Sequence, residues 1–193
     1  MGTWAAIVAA CGYGLLTRLV SERLGVFDPI AGYRLSEPLG YWNALGIFAV
    51  LGLLGAAGGA ADGAHARTRA AAAAAAVILA PTLYFTFSRG SWFALGIGFA
   101  ALLAVSPRRL HALTCSVVAT APAAVAVALA SRSDALTHQE VALAPAVEEG
   151  RRLALALVVL AAVAVALGVA LHVADRRLPI PRAVRAGYAG LLV

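Results

Sequence analysis

Apolar residues in this chain fall in long, nearly uninterrupted runs, not in the alternating or three-to-four spaced patterns of soluble strands and helices. Six runs predict six membrane-crossing helices, at about Thr3–Leu16, Trp42–Ala60, Ala70–Phe87, Trp92–Val105, Leu110–Ala130 and Leu153–Val173. At a rise of about 1.5 Å per residue, the second, third, fifth and sixth nearly or fully cross a hydrocarbon core of about 30 Å. The first and fourth are short, and need flanking residues or a locally thinned bilayer. A seventh run opens near Ala186 and is only three residues into Leu191-Leu192-Val193 where the sequence stops, which reads as a fragment of a larger membrane domain. The expectation is an all-α, polytopic transmembrane helix bundle, with residues 1–193 as one transmembrane region.

The polar break between the third and fourth runs organises this reading. One continuous helix through Thr86-Phe87-Ser88-Arg89-Gly90-Ser91-Trp92 would put Arg89 near the bilayer centre, at a cost of roughly 2.5–3.5 kcal/mol or more. A hairpin turning at Ser88-Arg89-Gly90 moves the charge to the surface, with Gly90 giving the turn its freedom and Trp92 at headgroup level. Gly52, Gly55 and Gly59 in the second run, and Gly96 and Gly98 in the fourth, allow close approach of helix backbones. Ala70–Ala76 is strongly helix-forming but only marginally apolar, so it is expected to face other helices. Pro81 and Pro122 lie inside runs and are expected to kink them.

Composition agrees with a membrane protein: 62% of the 193 residues are apolar and 12% charged, and there is no lysine. The net charge of +6 comes from fifteen arginines scattered over short segments without a basic face or interleaved aromatics, which argues against a nucleic-acid partner and for loop charge that sets orientation. Arg67, Arg69, Arg108, Arg109, Arg176, Arg177, Arg182 and Arg185 crowd the shorter loops on one side. That density is expected to put them and the N-terminus on the cytoplasmic side. Seven of the nine acids fall on the other side. The N-terminus lacks the basic segment of a cleavable signal peptide. Cys11 and Cys115 lie inside apolar runs and read as small buried hydrophobes, not as a disulfide or metal ligands.

Candidate chemistry gathers on the outer side. Tyr33-Arg34-Leu35-Ser36-Glu37-Pro38-Leu39-Gly40-Tyr41-Trp42-Asn43 closes the first outer loop and opens the second run, and Ser88-Arg89-Gly90 forms the next outer turn. Two planar guanidinium forks at one depth suit a diphosphate held bidentately. The plainer alternative is that each arginine anchors a helix end at lipid phosphates. Glu37 is either part of the Arg34 loop's site or simply Arg34's ion-pair partner. His138 is the one histidine assigned to the outer side; it is a candidate base, though its own loop lacks aromatic or glycine-rich surroundings, and an ordinary solvated histidine is the simpler reading. His65, His111 and His172 fall at the inner interface. Glu148 with Arg151 or Arg152 fits helical pairing on a solvated ramp into the membrane. There is no P-loop, zinc pattern or nucleophile elbow.

The pair RLSEPLGYWNALG and TFSRGSWFALG, separated by two spans, resembles the O-antigen ligase and O-antigen polymerase-like membrane proteins, polytopic glycosyltransferases of the GT-C type. The resemblance implies transfer of a glycan from a polyprenyl-diphosphate carrier to an acceptor hydroxyl on the outer side of the cytoplasmic membrane, with no metal or other cofactor. It assigns stabilisation of the diphosphate leaving group to Arg89, and substrate contacts to Arg34, Asn43, Ser88 and Gly90. The family's second arginine and its histidine base belong to a large outer loop further along; this chain has no matching Gly-Arg-x-x-x-Trp pattern. The implied partners are the lipid-linked glycan and membrane lipids. The competing readings are a transporter or lipid-carrier translocase, which would call for charges lining a midplane cavity, and a truncated membrane protein without chemistry.

Overall fold

A computed structural model describes residues 2–25, 32–138 and 143–177. It consists of α1 (Gly2–Leu19), α2 (Ser21–Leu24), α3 (Trp42–Asp62), α4 (Ala66–Phe85), α5 (Arg89–Val105), α6 (Arg109–Ala130), α7 (Asp134–Thr137) and α8 (Leu143–Arg177). No strand occurs among the described residues. Each of the six apolar runs coincides with a long helix; the expected start of a seventh lies outside the described residues. Four helices, α3, α4, α6 and α8, are long and apolar enough to cross a bilayer, and α5 is a shorter apolar helix. By length and composition this is a multi-pass helical bundle. Its outward side chains agree: Phe93 and Ile97 on α5 are 73% and 72% exposed, and Leu155 and Val158 on α8 both 69%. That surface suits hydrocarbon and not water.

The centre of the bundle is α4, which packs against α1, α3, α6 and α8. Its alanine run faces these neighbours, with Ala72, Ala73, Ala75 and Ala76 all buried, because side chains this small let four helices close on one. On α3, Gly55 lies under the Trp4 ring of α1, Trp4 Nε1 donates to the Gly52 carbonyl (3.0 Å), and Gly59 faces the Ala72 methyl of α4. The small-residue pair therefore serves two different helices. Gly168 of α8 rests directly on the α4 backbone: an added Cβ would lie 2.7 Å from the Arg69 carbonyl oxygen and 2.8 Å from Ala70 Cα. Gly168→Val is expected to prise α8 from α4 and lower stability by about 1–3 kcal/mol, read as a fall in the thermal midpoint in detergent. An unchanged midpoint would show that α8 does not seat this closely.

Several expectations are corrected. The α4–α5 turn lies at Thr86-Phe87-Ser88, two residues earlier than the Ser88-Arg89-Gly90 reading, and Arg89 and Gly90 already belong to α5. Phe87, not Gly90, takes the left-handed conformation (φ 50°). The reason is capping: Ser88 Oγ accepts from the Ser91 N–H (3.3 Å) and from Ser91 Oγ–H (2.8 Å), starting the helix at once. Arg69, expected in a short loop, lies within α4 and is buried. Finally, α8 begins ten residues before the apolar run, and its first turns carry an exposed Glu148–Arg152 pair (2.9 Å), while Arg151 reaches back to Glu22 (3.0 Å).

Candidate functional site

Tight local contacts bring the two arginine segments to one end of the bundle. The Leu35 N–H donates to the Phe85 carbonyl at the end of α4 (2.9 Å), and the Tyr33 and Phe87 rings meet edge to face with centroids 4.9 Å apart. Beneath them, Gly46 of α3 sits against the Ser91 side chain of α5, where an added Cβ would collide with Ser91 Oγ. Gly46 and Ser91 both lie in the opening turns of their helices, so α3 and α5 start side by side. Their first turns, including the N–H groups of Arg89 and Gly90, lie at the same end as the Arg34 loop. A helix N-terminus favours anions because those N–H groups lack intrahelical acceptors.

The side chains at this rim take different roles. The Arg34 guanidinium lies over the Trp42 ring, 4.8 Å from its centroid, a cation–π arrangement that fixes the plane of the fork and leaves its edge for other partners. Arg89 is exposed in the first turn of α5, and nothing lies within 4 Å of where a Gly90 Cβ would be. Asn43 donates from Nδ2 to Tyr41 Oη (2.8 Å). Ser88 is buried and occupied with capping, which makes it a positioning group for Arg89. Glu37 makes no ion pair with Arg34; its contribution is its backbone, whose carbonyl lies on Gly14 of α1.

His138 is better placed than its own loop suggests. It lines an open cleft of about 560 Å³ with Tyr33, Tyr84, Phe87, Asp134 and Thr137. The aromatic rings missing from its loop are thus supplied by the Arg34 loop, the last turn of α4 and the α4–α5 turn, which no local sequence pattern signals. Its Nδ1 lies 3.0 Å from the Asp134 carbonyl oxygen and 3.2 Å from Thr137 Oγ1. The α7 turn carrying these residues is held by Glu149 of α8, which accepts from the Ala135 N–H (2.8 Å). Arg18 was also missed: it donates to the Tyr33 carbonyl and lies over the Phe85 ring, 5.8 Å from its centroid, so it clamps the start of the Arg34 loop to the α4 end.

A second polar cluster occupies the opposite end. Arg69 donates from Nε to the Gly63 carbonyl (3.1 Å) and from Nη2 to the Ala61 carbonyl (3.1 Å), closing the C-terminus of α3, and its Nη1 pairs with Asp175 of α8. His111 Nε2 is 3.4 Å from the same carboxylate, and Cys115 Sγ is 3.6 Å from His111 Nε2. The i,i+4 spacing of His111 and Cys115 was the only sign of this in the sequence.

No protein-family model, curated protein or solved structure matches this chain.

Proposed function

We propose that the rim formed by Tyr33–Asn43 and Thr86–Trp92 binds the diphosphate of a polyprenyl-diphosphate-linked glycan, in a six-span membrane protein resembling the O-antigen ligases. One observation carries the reading: Arg34 and Arg89, 55 positions apart in sequence, are brought to the same bundle end. In this reading, that end is the outer one.

The chemistry follows from the parts present. The Arg34 fork, oriented by Trp42, and the Arg89 fork, beside the N-terminus of α5, present donors where negative charge grows as the glycosyl–phosphate bond breaks. Donors already in place need no reorganisation in the transition state. The polyprenyl tail then runs down the lipid-facing surface of α5, along Phe93 and Ile97. The 560 Å³ cleft next to Tyr33 and Phe87 accepts the sugar, with His138 at its wall as the group able to take the acceptor hydroxyl's proton.

The test is binding of polyprenyl diphosphate to the purified chain in nanodiscs, together with glycan transfer to an acceptor. Arg89→Ala and Arg34→Ala are each expected to weaken diphosphate binding about tenfold or more, since each removes charge-assisted bonds worth about 1.5–3 kcal/mol. Arg89→Lys keeps the charge but loses the fork, and is expected to fall between. Wild-type affinity in a folded Arg34→Ala/Arg89→Ala double variant removes the diphosphate role. Intact binding with no covalent product under any condition favours the carrier-translocase reading.

A further inference from the structure

At the Arg69 end, three side chains from two helices converge in a way the proposed transfer site does not use. His111 and Cys115 lie one turn apart on α6, and Asp175 comes to them from the far end of α8. Their ligand atoms all lie within 4.8 Å of one another. Tetrahedral zinc, with a Zn–S bond of about 2.3 Å and Zn–N and Zn–O bonds of about 2.0–2.1 Å, sets S···N near ~3.5 Å and N···O near ~3.3 Å. The observed separations are 3.6 Å from Cys115 Sγ to His111 Nε2 and 3.4 Å from His111 Nε2 to Asp175 Oδ2; Sγ is also 3.9 Å from Nδ1, beside the ring, so the three ligand atoms are within reach of one ion once the His111 ring turns its Nε2 lone pair toward Sγ.

We propose that His111, Cys115 and Asp175 form a binding site for a divalent transition-metal ion of the zinc type. A thiolate and an imidazole select against magnesium and calcium, which take oxygen ligands. On binding, Cys115 loses its thiol proton to solvent and the metal–sulfur bond replaces it, so one proton leaves per ion. With one thiolate and one carboxylate against the divalent ion and the Arg69 guanidinium, the occupied site carries one net positive charge, and Arg69 keeps its bond to Asp175. In that position it orients the carboxylate, as outer hydrogen-bond partners of metal ligands do. The fourth position opens on a cleft of about 320 Å³ that Asp62 and His172 also line, leaving room for a water or for one of those side chains. The ion would tie α6 to α8 at one point, next to the Arg69 contact between α4 and α8.

The experiment is a cobalt(II) titration of the chelator-treated protein in detergent, followed by competition with zinc. Expected are a one-to-one thiolate-to-cobalt charge-transfer band, its loss in Cys115→Ser, and binding weakened more than about tenfold in His111→Ala. Cys11→Ser, which removes the other buried cysteine, should leave the band unchanged. Absence of the band in the wild-type chain, or an equal band in Cys115→Ser, overturns the site. If both α6 variants lose their fold, the wild-type thermal midpoint decides. Zinc at many times its Kd should raise it through linkage, and no rise overturns the proposal. Arg34 and Arg89 lie at the other end of the bundle, so a failure here leaves the diphosphate reading untouched, and the converse holds.

Discussion

Arg69→Leu is expected to be the most damaging single substitution in the bundle, lowering stability by about 3–5 kcal/mol. The guanidinium is almost wholly enclosed, and its three bonds join three helices: the Ala61 and Gly63 carbonyls that end α3, its own helix α4, and Asp175 on α8. Leucine fills much of the volume but leaves two helix-terminal carbonyls without their donor and the Asp175 carboxylate without its main counter-charge. Arg69→Lys should recover only part of the loss, because one ammonium cannot span acceptors spread across a planar fork. Thermal unfolding in detergent gives the size. The double variant Arg69→Leu/Asp175→Leu separates the pair from the cap, since removing both charges cancels the unpaired-carboxylate penalty and leaves only the lost carbonyl bonds. A wild-type midpoint in Arg69→Leu would mean that this enclosed charge stabilises nothing.

Gly14→Leu should be nearly as severe, and should strike function as well as stability. A Cβ at this position would run into the Glu37 carbonyl oxygen, and behind it stands the Leu45 side chain at 3.5 Å. The obstacle is backbone on one side and a buried side chain on the other, so the Arg34 loop has to lift off α1. Overpacking of this kind costs about 1–3 kcal/mol. The lift also pulls against the Leu35–Phe85 hydrogen bond and the Tyr33–Phe87 contact that hold Arg34 at the rim. Polyprenyl diphosphate affinity in Gly14→Leu should therefore fall about as far as in Arg34→Ala, although Gly14 touches no ligand in the proposed site. Undiminished affinity in a folded Gly14→Leu protein would show that the loop's seat on α1 does not set the position of Arg34.

Much of the architecture was legible because a bilayer imposes its thickness on the sequence. A helix must carry its apolar run for about 30 Å, so run length alone located all six long helices to within a few residues at most ends. The early start of α8 is the exception, since Leu143–Arg152 is polar and amphipathic, and its helix is held by Glu148–Arg152 pairing and by contact with Glu22, not by lipid. The turn before α5 was displaced for a local reason: a serine cap outweighs the freedom of a glycine two residues on. At the rim, the order of the two arginine motifs along alternating spans was enough to place them at one end. The aromatic wall around His138 was not legible, because Tyr33, Tyr84 and Phe87 come from two separate segments.

By itself, then, the sequence determined that this chain is a bundle of apolar helices, where the apolar part of each helix runs, and that Arg34 and Arg89 share an end; all three follow from the length of the apolar runs and from chain reversal at each polar break. The partners of the enclosed polar groups were decided only by tertiary structure. Arg18, near the end of α1, holds the Tyr33 carbonyl. Arg69, expected as a loop charge, is the junction of three helices, while Cys115, expected as a small hydrophobe, faces His111 and Asp175. A charged or thiol side chain in a short polar segment has the same local signature whether it meets water or a partner some hundred residues away. In a low-dielectric interior that partner decides whether the group is tolerated, and only the packing of α4, α6 and α8 supplies it.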